Sequence, residues 1–233
     1  MNLCDLLQEL KDVNVCGNAD VKITKVVYDS RKAEQGSLFV CIRGTGIDGH
    51  LYLDEAIDAG AVAVVIDEDY KTSPEFLHMM LEKGGAVVTV PDTRYALAYL
   101  SAAFYKYPAK YLTTIGITGT KGKTTTAYLI YSILRQAGLK VGLIGTIETI
   151  IGDEHIPSAN TTPESTLLQG YMSRMVEAGL DAVVMEVSSQ GLKMSRTEGF
   201  VFDYGIFTNF GEDHISPTEH ADLEEYLHCK SML

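Results

Sequence analysis

"TGTKGKTTTAY", residues 118–128, is the stretch on which the fold assignment turns. The β-branched run "YLTTIGIT" leads into it, and "KTTTAYLIYSILRQAG" leaves it with Leu129, Ile130, Ile133, Leu134 and Ala137 on one helical face. Strand, glycine loop and helix start therefore arrive in the order of a phosphate cradle. Backbone N–H groups of such a loop and the positive end of the helix dipole attract phosphate oxygens. Lys123 would reach the β- and γ-phosphates, and the Thr124 hydroxyl would take Mg2+. The general spacing G-x-x-x-x-G-K-[ST] needs glycine at 117, where this chain has Ile117; Gly116 comes too early and Gly119 too late. On these residues alone a plain glycine turn between strand and helix stays open, because G-K-T also recurs by chance.

Working outward, the pattern after the loop reads as helix 123–137 stopped by Gly138, strand 140–145, a loop through Pro157 and Pro163, helix 164–178 stopped by Gly179, and strands 181–187 and 201–207; strand 112–118 precedes the loop. Upstream, strands near 23–28, 37–42, 62–66 and 86–90 alternate with helices near 2–11, 50–59, 74–83 and 92–106. Pro108 in "YKYPAKYLTT" breaks the pattern and separates two domains, 1–110 and 111–233. Apolar runs such as "AVVMEV" lack alternation, which suits strands covered on both faces in a parallel sheet. The fold expected is α/β: a small N-terminal α/β domain, then a P-loop-type central domain with a mainly parallel sheet flanked by helices.

A net charge of −12 over 233 residues gives no basic field for nucleic acid or an anionic membrane. The longest apolar runs, such as "AVAVVI" at 61–66, are too short to span a bilayer, and the N-terminus carries Asp5 and Glu9 in place of a basic leader. Cys4, Cys16, Cys41 and Cys229 form no CxxC pair, which fits reduced thiols and a cytoplasmic protein. Neither nucleic-acid binding nor membrane insertion is expected.

The loop spacing that fails the general pattern resembles another one. "GITGTKGKTTT" resembles the ATP loop of the Mur ligases, which build the peptide of bacterial peptidoglycan, and "YDSRKAEQGSLFVCIRGTGIDGHLYLDEAIDAGA" resembles the first-domain signature of the MurE type. The resemblance implies ATP held on Gly119, Thr120, Lys121, Gly122, Lys123, Thr124 and Thr125. It also implies Ser30 and Arg31 at uracil and diphosphate, with Gly44, Asp48, Gly49 and His50 forming the adjoining loop. Read alone, Arg31 is equally a solvated surface charge, and His50 a helix-start or core histidine.

Three further segments extend the likeness. "SANTTPEST" at 158–166 resembles the loop holding the muramoyl peptide, which makes Asn160, Thr161 and Thr162 substrate donors; alone it is a capped polar loop. "DAVVMEVSSQGL" places Glu186 at the end of a buried strand, where an acid can hold Mg2+ or pair with a lysine, and the same match puts Ser188 and Arg196 at the substrate. The family usually carries E-V-S-S-H-G-L, and here Gln190 replaces the histidine; Met194 stands where relatives often have glutamine. "TNFGEDH" resembles the segment whose histidine, His214, completes the metal site, although the following "ISPTEH" departs from the family pattern. Lys230 falls where the family has a carbamylated lysine beside a second metal; alone it is an exposed lysine on a helix. A zinc site from His214, His220, His228 and Cys229 matches no standard spacing.

By this resemblance the catalytic group is Lys123, Glu186, His214 and Lys230, the metal ligands are Thr124, Glu186, His214 and Lys230 if carbamylated, and the cofactors are ATP and Mg2+. The partners implied are UDP-N-acetylmuramoyl-L-alanyl-D-glutamate and a diamino acid, joined through an acyl phosphate. A third domain presenting the amine would complete such an enzyme, so this chain is expected to be a truncated piece with its C-terminal domain absent, binding nucleotide without full ligation. A folylpolyglutamate synthetase-like ligase shares the ATP loop but lacks the first-domain match. A P-loop kinase would need the general spacing, a non-enzymatic scaffold has no use for so many aligned polar groups, and a nucleotide-binding non-catalytic homologue stays open as an alternative.

Overall fold

The computed structural model describes residues 1–44, 46–213, 215–216 and 219–233, and the chain forms two compact units, Met1–Phe104 and Tyr105–Leu233. In the first, the Val- and Ile-rich runs become strands β2 (Lys25–Val27), β3 (Ser37–Val40), β4 (Ala61–Asp67) and β5 (Ala86–Val90), paired in parallel. Helices α1 (Leu3–Leu6), α2 (Leu53–Asp58), α3 (Pro74–Glu82) and α4 (Thr93–Phe104) connect and cover them. Ser73 opens α3 by accepting from the Phe76 N–H, with Pro74 in the first turn, where its missing N–H costs nothing. On one face of this sheet Phe39, Val64 and Val87 pack against Ala56, Ile57 and Met80.

The helix expected over 2–11 ends at Leu6. Asp12 takes a left-handed φ of 54°, and the chain turns into a strand the sequence analysis did not assign, β1 (Asn14–Gly17), which lies antiparallel on β5. As an edge strand that is mostly exposed, β1 carries no run of apolar residues to announce it. The sheet order is β1-β5-β4-β3-β2.

The second unit begins earlier than the Pro108 break suggested. The division falls between Phe104 and Tyr105, because the 3₁₀ turn Pro108–Tyr111 packs on α6 (Ser165–Glu177) of this unit. Four parallel strands, β6 (Thr113–Thr118), β7 (Val141–Ile144), β10 (Ala182–Glu186) and β11 (Tyr204–Phe207), form the sheet center in the order β11-β6-β10-β7. Strand β10 is buried throughout because its side chains alternate between two cores. Val183 and Met185 meet Leu168, Met172 and Met175 of α6, while Ala182 and Val184 meet Ala127 and Tyr131 of α5 (Lys123–Gln136).

The segment expected as a loop through Pro157 is instead a hairpin, β8 (Glu148–Ile151) and β9 (Glu154–Pro157), which extends the sheet antiparallel beyond β7. Ile151 and Glu154 pair across a two-residue turn in which Gly152 takes a φ of 61°, a conformation a leading glycine permits. Helices α7 (Ser189–Lys193) and α8 (Leu223–Ser231) complete the unit. Among the described residues no helix is long and apolar enough to cross a membrane.

Candidate functional site

Strands β6 and β10 run parallel, with Glu186 beside Ile117, so their carboxyl ends deliver Thr118 and Glu186 to the same edge of the sheet. The loop between β6 and α5 departs from there. Gly119 has a φ of 144° and packs so closely that a Cβ would collide with Thr208 Oγ1; Gly122 caps α5 at a φ of 84° with open space around it. The Thr208-Asn209 pair after β11 pins the loop. Thr208 Oγ1 and Asn209 Nδ2 donate to the Lys121 carbonyl, and Asn209 Oδ1 accepts from the Lys121 N–H. The Thr120 hydroxyl is tied to Gly211 and to the Tyr226 hydroxyl. Thr125 lies exposed on the first turn of α5.

Lys123 folds back on this loop. Its Nζ donates to the carbonyls of Gly119 at 2.8 Å and Thr120 at 3.2 Å. Lys230, on α8, donates to the same Gly119 oxygen at 2.9 Å and sits 4.4 Å from the center of the Tyr226 ring. It is only 2% exposed, not an exposed lysine on a helix surface. Burial, and after it the nearby Lys123 ammonium, push the Lys230 amine down to about 8. Burial also lowers the Lys123 amine, with the carboxylates of Glu186 and Asp213 working against it.

Glu186 is 1% exposed and accepts three hydrogen bonds: from Thr124 Oγ1 at 2.7 Å, from the Thr146 N–H at 2.9 Å and from Thr146 Oγ1 at 3.1 Å. Among the described residues it forms no lysine pair of the kind the alternative reading required. Gly145 makes room for it, since a Cβ there would stand 2.5 Å from Glu186 Oε1. Gly145→Ala is therefore expected to swing the carboxylate aside and weaken Mg2+-dependent nucleotide binding about tenfold, with little change in binding without the metal; titration calorimetry with and without chelator checks this.

Next to these groups lies a cavity of about 220 Å3 that gathers Lys123, Lys230, Asn160, Thr161, Thr162, Ser188, Ser189, Gln190, Arg196, Glu219 and His220. Thr162 is buried, with its Oγ1 accepting from the Ser188 N–H and 3.1 Å from Ser188 Oγ, and Ser188 in turn caps α7. Arg196 is bound to Glu164 at 2.6 Å and to the Thr162 carbonyl at 3.0 Å, which positions the loop from behind and leaves a wall guanidinium already neutralised by a carboxylate. His214 lies outside the described residues.

In the first unit, Ser30, Arg31, Gly44 and Gly49 line a separate cavity of about 370 Å3 with Tyr28, Phe39 and Tyr52. Arg31 is 82% exposed and held in a two-point pair with Asp29, at 2.8 and 2.9 Å. His50 and Asp48 are not on that wall. Asp48 accepts from His50 Nδ1 at 2.6 Å, the Asp67 N–H donates to Nε2 at 3.2 Å, and Tyr70 stacks on the ring at 4.3 Å. The donation to Nε2 leaves the ring proton on Nδ1, so this is a satisfied core histidine that braces the Gly49–Tyr52 turn.

Sequence reasoning missed Thr146, Tyr226 and His220 as members of the second site. Thr146 follows a buried parallel strand, a place where ligand-facing residues collect, which is the signal that was there to find. His220 is buried with its Nε2 2.9 Å from Ser189 Oγ, and burial lowers its imidazole.

The donor set suits Mg2+. One buried carboxylate and a threonine hydroxyl are hard oxygen donors of the kind this ion takes while keeping several waters, and among the described residues no cluster of three or more His, Cys, Asp or Glu side chains offers a softer metal a site.

A mainly parallel sheet whose first strand enters a glycine loop followed by a lysine-bearing helix defines the second unit as a P-loop-type α/β domain. The family can be named as well. The Mur ligase middle domain matches residues 117–233, the Mur ligase family catalytic domain matches residues 22–105, and the chain belongs to the Mur ligase family. It is 47% identical over its whole length to the UDP-N-acetylmuramoyl-L-alanyl-D-glutamate--2,6-diaminopimelate ligase of Caldanaerobacter subterraneus and 44% identical to that of Bacillus licheniformis, covering 46% and 45% of those proteins. The chain thus spans about half the length of the curated relatives it matches. A solved structure of a ligase with the same name shares the fold with a TM-score of 0.75 at 21% identity, over 99% of this chain and 44% of the other. MurF from Acinetobacter baumannii does so with a TM-score of 0.60 at 21% identity, over 99% of this chain and 45% of its own.

Proposed function

We propose that this chain is the uridine-substrate and ATP-binding part of a cytoplasmic ligase that adds a diamino acid, the 2,6-diaminopimelate of its relatives' names, to UDP-N-acetylmuramoyl-L-alanyl-D-glutamate. The observation that carries the reading is the convergence of two lysine ammonium groups on the Gly119 carbonyl, beside the buried Glu186 carboxylate and a polar cavity. Joining a substrate carboxylate to a triphosphate brings two anions together, and such a site is built to receive them.

The first unit takes the uridine diphosphate end. The Ser30 hydroxyl and the backbone of Gly44 and Gly49 read the base, and the exposed Arg31 turns from Asp29 toward the diphosphate. In the second unit, phosphates displace the loop carbonyls from Lys123, and the N–H groups of residues 122–125 cradle them, while those of Thr120 and Lys121 stay bound to Asn209 and hold the loop's shape. Asn160, Thr161, Thr162 and Ser188 hold the peptide end, while Arg196 keeps their loop in place. The D-glutamate carboxylate then attacks the γ-phosphate in line and expels ADP, and the amine, giving up a proton, displaces phosphate from the resulting acyl phosphate. Magnesium, when bound by Thr124, Glu186 and His214, supplies charge neutralization between the reacting anions. The lowered Lys230 amine adds to carbon dioxide, losing a proton and becoming an anionic carbamate suited to a second magnesium.

Titration calorimetry with UDP-N-acetylmuramoyl-L-alanyl-D-glutamate and with a non-hydrolysable Mg2+-bound ATP analogue tests the reading. Saturable binding of both is expected. A folded chain that gives no heat with either ligand would overturn it.

A further inference from the structure

Thr146 has no part in the reaction proposed above, yet its hydroxyl stands between two groups that do. Its Oγ1 is 3.1 Å from Glu186 Oε2 and 3.0 Å from Thr161 Oγ1. Its place is fixed by the sheet. It follows β7, which lies parallel to β10 with Ile144 beside Met185, and its own N–H is bound to Glu186 Oε1.

A hydroxyl has one proton to give and two lone pairs to accept with, whereas an ionised carboxylate only accepts. In the ligand-free site the Thr146 proton therefore points at Glu186, and Thr161 must give its own proton to Thr146. Thr161, on the cavity wall, is left presenting lone pairs, which repel a carboxylate or carbonyl oxygen. A cation drawn to Glu186 Oε2 competes with the Thr146 proton for that oxygen. The Thr146 proton then turns to Thr161 Oγ1, and the Thr161 proton is released toward the cavity.

We propose that Thr146 is a positioning residue whose hydroxyl couples occupation of the Glu186 carboxylate to the donor state of Thr161, so that the metal-bound nucleotide and the peptide end of the uridine substrate strengthen each other's binding. The inference rests on the ligase reading and adds to it a residue and a coupling. Because coupling between two ligands is reciprocal, it is readable from either side.

The test is calorimetry on the 233-residue chain, measuring the Kd of a non-hydrolysable ATP analogue with Mg2+ in the absence and presence of saturating UDP-N-acetylmuramoyl-L-alanyl-D-glutamate, and the same pair of titrations in chelator. For the unaltered chain the uridine compound is expected to tighten the nucleotide about fivefold with Mg2+ and not in chelator, the size of one hydrogen bond gained. Thr146→Val keeps the branched shape and the backbone N–H but loses the hydroxyl, and should bring the mutual effect to about onefold. Thr146→Ser should restore it, and Thr146→Ala gives the same readout as valine should the valine disturb the strand end. In Thr161→Val the effect should also vanish, with no further loss in the double variant. A merely structural Thr146 would weaken both ligands and leave their mutual effect intact. Binding of both ligands with equal strengthening in Thr146→Val, or with no strengthening in the unaltered chain, overturns the coupling alone; binding of neither ligand overturns the ligase reading and the coupling with it.

Discussion

Lys123→Ala is expected to weaken binding of a non-hydrolysable ATP analogue about 100-fold, the worth of one or two charge-assisted hydrogen bonds to phosphate. In the ligand-free loop the lysine is already in place, its Nζ held by the Gly119 and Thr120 carbonyls at 2.8 and 3.2 Å. Phosphate oxygens exchange neutral partners for charged ones, so little ordering remains to offset the gain. Affinity for the uridine compound should fall less, because Lys123 lines the cavity given to its peptide end while the cavity holding Ser30 and Arg31 is built from other elements. Stability of the ligand-free chain should not fall, since removing one ammonium relieves Lys230 of a like-charged neighbor. Calorimetry with both ligands, together with thermal melting, separates these outcomes. Unchanged nucleotide affinity would remove the lysine from the site.

How far such a site can be read in advance depends on whether its signal is local. The glycine loop was legible because strand, turn and helix each leave their mark within a few residues, and β10 was legible because a strand buried on both faces is an unbroken apolar run, here up to Glu186 at its end. Strand β1 was not, being an exposed edge that owes its place to pairing with β5. The β8–β9 hairpin hid behind Pro157, whose position at the far end of an edge strand leaves the ladder unharmed. Side chains whose roles are set by distant partners were harder still. For His50 the sequence left a core histidine and a substrate-loop residue both open, and the amide of Asp67 and the ring of Tyr70 make it part of the core. Arg196 reads as a free cation until α6 brings Glu164 against it. Lys230 on a short helix reads as solvent-exposed, and its burial follows from packing against the phosphate loop more than a hundred residues earlier.

That burial leads to the second large effect: Lys230→Met is expected to stabilize the folded chain near neutral pH by about 1–3 kcal/mol, while removing the amine on which carbamylation depends. The Lys230 amine is lowered from its ordinary 10.5 to about 8, so its charged form is less comfortable in the folded chain than in the unfolded one. The unfolded chain then binds more protons between pH 8 and 10.5, and wild-type stability gains from this group as pH rises through that window. Below about pH 8 the full cost is present, so the advantage of methionine should be largest near pH 7 and fade toward pH 10. Thermal melts of both chains across that range measure it, and a Lys230→Met chain less stable than wild type at pH 7 would show that the ammonium is held by favorable contacts. A lysine kept where methionine is more stable points to chemistry at that amine. The neutral fraction available near pH 8 can add carbon dioxide, replacing a cation that repels Lys123 with an anion that attracts it. A gain of about 44 Da on the peptide carrying Lys230 in bicarbonate buffer, lost on mild acidification, is the expected signature, and its absence would leave the burial of Lys230 serving Gly119 alone.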